Sequence, residues 1–343
     1  MQSSLSTHRP PKPMRKNQST ISDSELQVVL WYEHISKAGG TTFCGLANSN
    51  MPHSSVPRYH CMPRKGELMD GRVGSWPNDE LIEFINENSF SIVANEWDPF
   101  DAEKLKLSGR DLFGSSKDNN LDSPSLLFVT TLRDPADRLL SSYTFFSNYS
   151  EEEQADANNF GVWLKRNLGR VRNFQVGGRG AFRSNVARNN YIVWRFSGGD
   201  IPHKSDDDDS ASFSLQSKIF PSSITNKSVW KNPFETAIRA LSNHDLVIPM
   251  DVLTQESGKQ SLRQLLGWEQ YSATGRGIVG EKETGHVVTT GEVRNSNARE
   301  YLLARKAGDE FRALWERNWL DYILFYWARA VFFTRLYCKN VEE

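Results

Sequence analysis

A glycine-rich loop directly follows an apolar run near the start of this chain. The apolar run LQVVLWY covers residues 26–32, and the loop HISKAGGTTF covers His34 to Phe43. This pattern predicts a buried strand that ends in a glycine turn and opens a helix. Such a turn presents backbone N–H groups, a helix N-terminus and a lysine to an anion. Alone it is a weak signal, because an ordinary strand–helix turn has the same composition.

A second motif of the same kind, LRDPADRLLSSY, occupies residues 132–143, again behind an apolar run. Arg133 stands at the end of the predicted strand. Arg138 and Ser141 are three residues apart, so they share a face of the helix that follows. A guanidinium and a hydroxyl beside a helix N-terminus are typical of a phosphate site. Taken separately, these side chains could pair with a surface acid or pack, but two motifs in this order favour phosphate binding.

The composition is that of a chain that can bury a large core. Its 343 residues carry a formal net charge of −1, which does not favour a nucleic-acid binder, and its aromatic content of 11% suits a packed enzyme. The three cysteines, Cys44, Cys61 and Cys338, match no zinc or CxxC spacing. The sequence therefore predicts neither a metal site nor a disulfide framework, although a Cys44–Cys61 bridge is compatible with an oxidising compartment.

Strand and helix signals alternate along the chain. We expect a flexible tail over residues 1–24 and one folded domain over residues 25–338, with disordered polar insertions at about 110–125 and 199–229. Strands are predicted at 26–35, 90–95, 126–132 and 245–248, and helices at 41–47, 77–88, 135–146, 233–243, 261–266 and 297–337. The alternation predicts an α/β fold with a mainly parallel sheet flanked by helices.

The first loop differs from a nucleotide-binding P-loop in its spacing. Lys37 precedes Gly39 and Gly40, and the hydroxyls of Thr41 and Thr42 follow them, whereas a P-loop places its lysine after the glycines. The glycines allow close backbone approach, so we predict that Lys37, Ala38 and residues 39–42 bind the phosphate groups. No paired acidic sequence supplies a magnesium ligand, which argues against an ATP-dependent kinase.

The two motifs together resemble those of sulfotransferases that use 3′-phosphoadenosine 5′-phosphosulfate (PAPS). In that superfamily, a loop like residues 34–43 binds the 5′-phosphosulfate and an RDPxxRxxSxY segment binds the 3′-phosphate. Residues 133–143 match the second pattern without a gap. The HIxKxGGTTF form is most similar to Golgi carbohydrate sulfotransferases, such as the heparan 2-O and galactose 3-O groups. Weaker similarities include NNYIVWRFSGG at residues 189–199 and NWLD at residues 318–321.

The resemblance implies a P-loop-NTPase-like fold and in-line transfer of a sulfuryl group to an acceptor hydroxyl, with PAPS as cosubstrate and no metal. Lys37 would stabilise charge on the leaving phosphate. Glu96, at the end of the second strand, is the candidate general base because related enzymes carry a catalytic His or Glu there; pairing with a nearby cation is the alternative. Asp98 and His60 are weaker candidates, and His34 is expected to orient the loop.

A cationic stretch between residues 161 and 199 contains seven Arg and one Lys but no Asp or Glu. We predict that Arg179, Arg183 and Arg188 bind the acceptor or the cofactor. The alternative is a solvated basic face balanced by acids elsewhere. Arg294, in the loop TTGEVRN at residues 289–295, is predicted to close over the adenosine, as a late basic loop does in relatives.

The sequence leaves several alternatives open. The acceptor is expected to be a carbohydrate or another hydroxyl compound, with a small molecule or a protein tyrosine as the alternative; a non-catalytic nucleotide- or glycan-binding relative is a further one. The apolar residues 322–333 are few and include Arg329, so they predict a core helix rather than a membrane span. Residues 1–24 lack a signal-peptide core. We expect a soluble cytoplasmic protein, or a Golgi-lumen protein if the N-terminus is truncated.

Overall fold

Four parallel strands lie at the centre of the protein, and helices cover both faces of the sheet. The computed structural model describes residues 28–64, 73–108, 125–147, 190–198, 227–253, 255–271 and 308–338. Four predicted site residues lie outside these ranges: Arg179, Arg183, Arg188 and Arg294. The predicted tail 1–24 and most of the two predicted insertions also lie outside the described residues.

The strands are β1 (Val28–Glu33), β2 (Ile92–Asn95), β3 (Ser125–Leu132) and β4 (Leu246–Pro249), in the spatial order β2-β1-β3-β4. All three pairings are parallel. The described helices are α1 (Gly40–Asn50), α2 (Asn78–Asn88), α3 (Pro135–Ser147), α4 (Tyr191–Phe196), α5 (Lys227–Ser242), α6 (Met250–Leu253), α7 (Glu256–Leu266) and α8 (Gly308–Cys338). The chain thus forms a single α/β domain, as the alternation of strand and helix signals predicts.

Side chains alternate between two apolar clusters along each strand because successive residues of a strand point to opposite faces. In β1, Val29 and Trp31 pack with α2, α4, α5 and the middle of α8 on one face. Leu30 and Tyr32 pack with α1, α7 and the end of α8 on the other. Strands buried on both faces read as continuous apolar runs, which explains why β1 and β3 are recognisable in the sequence.

Element boundaries differ from the sequence-based expectation at several points: α1 ends at Asn50 rather than at 47, and α7 begins at Glu256 rather than at 261. Helix α5 begins at Lys227 rather than at 233, so Pro233 lies inside the helix and residues 227–229 are not part of an insertion. Proline favours the first helical turn, which is why the sequence places the start there. Helix α8 contains a kink at Asn318, whose φ of −125° is not helical. Ser125, at the end of the predicted first insertion, is already in β3.

The strand order reverses between β1 and β3, and the region at the carboxyl ends of these two strands is here called the crevice. After β1 the chain continues to β2, which lies next to β1 in one direction within the sheet. After β3 it continues to β4, which lies next to β3 in the opposite direction. Ligands of open parallel sheets bind where the strand order reverses in this way. The two predicted phosphate motifs follow β1 and β3 directly, so the topology places both of them at this crevice.

A covalent bond and a loop protect the outer edge of β2. Cys44 of α1 and Cys61 form a disulfide with their Cα atoms 5.7 Å apart, so the bridge that the sequence leaves open is formed. The N–H of Ala94 in β2 donates to the carbonyl of Cys61 at 2.8 Å, which satisfies part of the edge. The bridge therefore joins the helix after the first motif to the loop beside the second strand.

None of the described helices is long and apolar enough to cross a membrane. Residues 322–333 belong to α8, as predicted, and their apolar side chains divide between the core and the surface. Leu324, Phe325 and Ala328 are buried against the sheet, whereas Ile323 and Tyr326 are exposed. This division is typical of a helix that packs on one side only.

Candidate functional site

The loop between β1 and α1 contains two residues in the left-handed backbone region. Lys37 and Gly39 both have positive φ angles, of 64° and 101°, and Gly39 is the N-cap of α1. Glycine adopts this region without a steric penalty, which allows the sharp entry into the helix. The first turn of α1 contains no acidic residue, and it carries an exposed Thr41 and a half-buried Thr42. A helix N-terminus of this kind can bind an anion.

Gly40 is required by the packing of the loop. A Cβ atom at this position would lie 1.7 Å from Nε2 of His34, so no larger residue fits while the imidazole stays in place. His34 is buried and stacks on Tyr32, with ring centroids 5.5 Å apart. His34 thus lies under the glycine turn, in the orienting position that the sequence predicts for it.

The two phosphate motifs contact each other. The Nη1 of Arg133, directly after β3, donates to the carbonyl oxygen of Lys37 at 3.2 Å. Asp134 caps α3 by accepting from the N–H groups of Ala136 and Asp137 at 2.9 and 3.3 Å, which confirms the predicted N-cap. Since this carboxylate occupies the N-terminus of α3, an anion at the second motif would depend on side chains rather than on that helix end.

Arg138 and Ser141 differ in their surroundings. Arg138 is completely buried, and its guanidinium lies over the ring of Tyr191 at 4.4 Å from the centroid. Burial lowers the pKa of Arg138, and Asp321 of α8 opposes that shift. Ser141 is half-buried. The helical spacing correctly indicates neighbouring positions on α3, but it does not reveal that Arg138 faces the core beneath α8.

Glu96 lies directly after β2, at the same end of the sheet. It is buried, and its Oε2 is 3.6 Å from Nδ1 of His34. Burial raises the pKa of Glu96 to about 7, although Arg195, Lys37 and a hydrogen bond from Ser36 lower it. Burial likewise lowers the pKa of Lys37 to about 8, with Glu96 opposing and Arg133 reinforcing that shift. The predicted catalytic pair therefore titrates near neutral pH, as groups in active sites often do.

The weaker base candidates lie around Glu96. The half-buried His60 lies edge-on to His34, with ring centroids 6.4 Å apart. Asp98 is buried, and its backbone carbonyl accepts from the side-chain amide of Asn95 at 3.0 Å. Burial together with the neighbouring His60, Arg195 and Lys37 lowers the pKa of His34, so His34 is neutral at physiological pH.

A buried ion pair supports this end of the sheet, and the sequence analysis did not identify it. Nη2 of Arg195 lies 2.6 Å from Oε1 of Glu33, and both side chains are fully buried. Glu33 also accepts from the Trp31 indole and the Asn95 amide, at 3.0 Å each. Arg195 belongs to the predicted cationic stretch, so for this position the reading as a solvated or acceptor-binding cation is wrong. The sequence signal that could have identified this buried cation is a single charged residue, Arg195, in the otherwise apolar segment YIVWRF at residues 191–196.

The segment 190–196 is tied to the kink of α8. Asp321 accepts from the N–H groups of Ile192 and Val193 at 3.0 Å each. Asn190 makes two hydrogen bonds to α8 at this point: its N–H donates to Oδ1 of Asn318, and its Oδ1 accepts from the N–H of Leu320. The described part of the first weak similarity, residues 190–196, and the second, residues 318–321, therefore form one contact region beneath α3.

The described residues contain no group of three or more His, Cys, Asp or Glu side chains that could hold a metal ion. A scan against protein-family models finds no match to the chain. A search of the curated proteins likewise finds no significant match. The geometry of the crevice and the motifs beside it are therefore the basis for assigning a function.

Proposed function

We propose that the chain is a PAPS-dependent sulfotransferase with a P-loop-NTPase-like fold, and that its acceptor is a carbohydrate hydroxyl. The observation that carries the proposal is the hydrogen bond between Arg133 and the backbone of Lys37. Through it, two motifs that resemble the 5′-phosphosulfate and 3′-phosphate loops of sulfotransferases meet at one crevice. The spatial order β2-β1-β3-β4 supports the proposal because it makes that crevice a ligand position of parallel sheets.

The donor would bind through both motifs. The N–H groups of the first turn of α1 and the ammonium of Lys37 would hold the 5′-phosphosulfate, with Ala38 to Thr42 as the surrounding loop. Arg133 and Ser141 would hold the 3′-phosphate at the second motif. Arg138, buried on Tyr191, would act by fixing the position of α3 rather than by touching the phosphate. Preorganised cations and N–H groups of this kind stabilise charge that develops on a leaving phosphate.

The transfer step requires a base for the acceptor hydroxyl. In the proposed reaction, the acceptor oxygen forms a bond to sulfur while the bond from sulfur to the bridging phosphate oxygen breaks. The acceptor proton passes to Glu96, and adenosine 3′,5′-bisphosphate (PAP) leaves. Glu96 suits this role because it is buried within reach of Lys37 and because its pKa of about 7 makes it both available and basic at neutral pH.

The acceptor class has a separate basis. A carbohydrate is favoured because the HIxKxGGTTF form of the loop is most similar to that of carbohydrate sulfotransferases. A phenol or a protein tyrosine would use the same donor site and the same base. The acceptor class is therefore decided by an acceptor panel rather than by the donor site.

A thermal-shift experiment tests the donor class first. PAP should raise the unfolding temperature of the protein in EDTA, and ATP should do so less, with or without magnesium. Lys37→Ala should remove the PAP effect. Lys106→Ala is the matched control because Lys106 is exposed and pairs with Glu103 rather than with a residue of either predicted motif. Stabilisation only by ATP with magnesium would instead indicate a phosphoryl-transferring enzyme.

Transfer itself is measured with sulfur-35-labelled PAPS and a panel of glycans, phenols and tyrosine peptides. Incorporation into a glycan supports the proposal, and incorporation into phenols or peptides alone would change the acceptor class. PAP binding without transfer to any acceptor would favour a non-catalytic relative. Glu96→Gln separates these cases further, since it should abolish turnover while PAP binding persists.

A further inference from the structure

Arg195 contacts both ends of the turn that carries Glu96. Its Nη2 donates to the carbonyl oxygen of Asn95 at 2.8 Å, directly before Glu96. Its own carbonyl accepts from the N–H of Phe100 at 2.8 Å, at the far end of the same turn. One fully buried residue of α4 therefore brackets residues 95–100 by its side chain and by its backbone.

Glu33 and Asn95 complete this bracket. Glu33, the last residue of β1, is the ion-pair partner of Arg195, and the amide of Asn95 donates to the Glu33 carboxylate. The same amide nitrogen also donates to the carbonyl of Asp98 at 3.0 Å, inside the turn. A Cβ atom at Gly74 would lie 2.7 Å from that nitrogen, so the amide is closely packed. Two of the contacts thus involve the side chains of one buried ion pair, whereas the backbone bonds from Phe100 to Arg195 and from His34 to Asn95, at 2.8 and 2.9 Å, are independent of it.

The carboxylate of Glu96 faces charged and titratable groups from three elements. The loop after β1 contributes Lys37, Ser36 and the neutral His34. Arg195 contributes the buried positive charge from α4 and has the largest effect of any neighbouring group in favour of the carboxylate form of Glu96. The negative charge of Glu96 also contributes to raising the pKa of Tyr32 and of Tyr191. Burial favours the protonated form of Glu96, whereas these positive charges and the Ser36 hydrogen bond favour the carboxylate form. The pKa of Glu96 is therefore sensitive to the loss of any one of these groups.

We propose that Arg195 is a positioning residue for the transfer reaction: it holds the turn that carries Glu96 and supplies buried positive charge to that carboxylate. This inference rests on the proposed function, in which Glu96 accepts the acceptor proton. Arg195 itself touches neither the donor nor the acceptor. Its removal should therefore reduce turnover rather than donor binding.

The test compares three variants. In Arg195→Met, kcat at pH 7 should fall by about 10²-fold, the scale of a lost general base, while the dissociation constant for PAP stays within about threefold. The pKa that limits kcat/KM on its acid limb should rise by about one pH unit, because the Glu96 carboxylate loses the favourable positive charge of Arg195. Arg195→Lys keeps the charge, so its acid limb should stay near that of the wild type. Glu33→Gln/Arg195→Met leaves no unpaired buried charge, so it provides a folded variant if Arg195→Met unfolds.

Lys104→Met is the matched control for the loss of a buried cation. Lys104 is also buried, but it donates to the carbonyl of Trp76 and to the side chain of Asn78 rather than to the turn of Glu96. Its substitution should lower stability without moving the acid limb. If Arg195→Met and the double variant behave like Lys104→Met, Arg195 is only structural and the inference is overturned.

A direct titration separates this inference from the proposed function. Carboxyl-carbon NMR of glutamate-labelled protein, with Glu96→Gln to assign the signal, follows Glu96 whether or not sulfate is transferred. An upward shift of the Glu96 titration in Arg195→Met, or in the double variant relative to Glu33→Gln alone, supports the inference, and an unmoved titration contradicts it. Absence of sulfate transfer by the wild-type protein would instead contradict the proposed function.

Discussion

The guanidinium of Arg133 donates a hydrogen bond to the carbonyl oxygen of Lys37 across 3.2 Å, although the two residues lie 96 positions apart in the sequence. Lys37 has a φ of 64°, a left-handed conformation that is unfavourable for a residue with a side chain. The hydrogen bond therefore helps to hold a strained loop in place. It also makes the two phosphate motifs depend on each other.

Substitution of Arg133 should consequently weaken donor binding at both motifs. We expect Arg133→Met to lower PAP affinity by about 10- to 100-fold, the equivalent of one charged hydrogen bond. Arg133→Lys should recover part of the loss, because an ammonium restores the charge but not the forked geometry. Isothermal titration calorimetry measures both variants. An affinity equal to that of the wild type in Arg133→Met would show that the contact does not support the site.

The pH dependence of kcat/KM should be bell-shaped and narrow. Glu96 must be ionised to accept a proton, so activity should rise with pH through its pKa of about 7. Lys37 must be charged to stabilise the leaving phosphate, so activity should fall as pH rises through its pKa of about 8. Because the two groups interact, the limbs report macroscopic constants of the pair. Rates at subsaturating PAPS between pH 5.5 and 9.5 measure the profile, and a flat profile across this range would contradict both assignments.

Glu96 should reduce the stability of the fold above neutral pH. Its pKa is about 7 in the folded protein against a reference value of 4.5, so the folded state holds the proton more tightly than the unfolded state. Stability is therefore lost as the pH rises from about 4.5 to about 7, and it stays lower above that range. Glu96→Gln removes this loss, partly offset because Lys37 loses an attractive partner. We expect Glu96→Gln to be more stable than the wild type at pH 8 by about 1–2 kcal/mol.

Chemical denaturation at pH 5 and pH 8 checks this expectation. The stabilisation should be larger at pH 8 than at pH 5. Glu83→Gln, at an exposed position of α2, serves as the control and should change stability by less than about 0.5 kcal/mol at either pH. A Glu96→Gln protein that is less stable than the wild type at pH 8 would show that Glu96 is mainly an ion-pair partner.

Local signals explain which parts of this structure could be predicted. The apolar run of β1, the glycine pair before α1 and the Asp134-Pro135 start of α3 each act within a few residues, so the sequence locates them. The parallel sheet follows from the alternation of such elements. Both motifs follow strands, and the carboxyl ends of parallel strands lie on the same edge, so their proximity was predictable as well.

Long-range contacts explain what could not be predicted. The ion pair between Glu33 and Arg195 joins β1 to α4 across about half of the chain, and nothing local to either residue reveals its partner. The inward orientation of Arg138 depends on the packing of α8 over α3, whereas helical spacing reports only which residues share a face. The disulfide between Cys44 and Cys61 likewise depends on how closely the loop approaches α1.

The contact between Gly40 and His34 predicts a strong mutational coupling. Gly40→Ala places a Cβ atom on the imidazole, so we expect a loss of about 2 kcal/mol of stability and a weaker affinity for PAP. In a His34→Ala background the added methyl group has room, and the same change should cost much less. Double-mutant analysis of the four proteins by urea denaturation measures the coupling. Additive effects of the two substitutions would show that the loop avoids the contact by moving.

The disulfide predicts both a thiol count and a stability change. The chain has three cysteines, of which Cys44 and Cys61 are bridged and Cys338 is exposed, so native protein should react with one equivalent of thiol reagent and reduced, denatured protein with three. The bridge closes a loop with a sequence separation of 17, and the loss of such a cross-link costs about 3 kcal/mol through the entropy of the unfolded chain. Cys44→Ser/Cys61→Ser should therefore unfold at a lower temperature than the wild type. Cys338→Ser is the control and should leave both the unfolding temperature and the effect of a reductant unchanged. Three reactive thiols in the native protein would contradict the bridge.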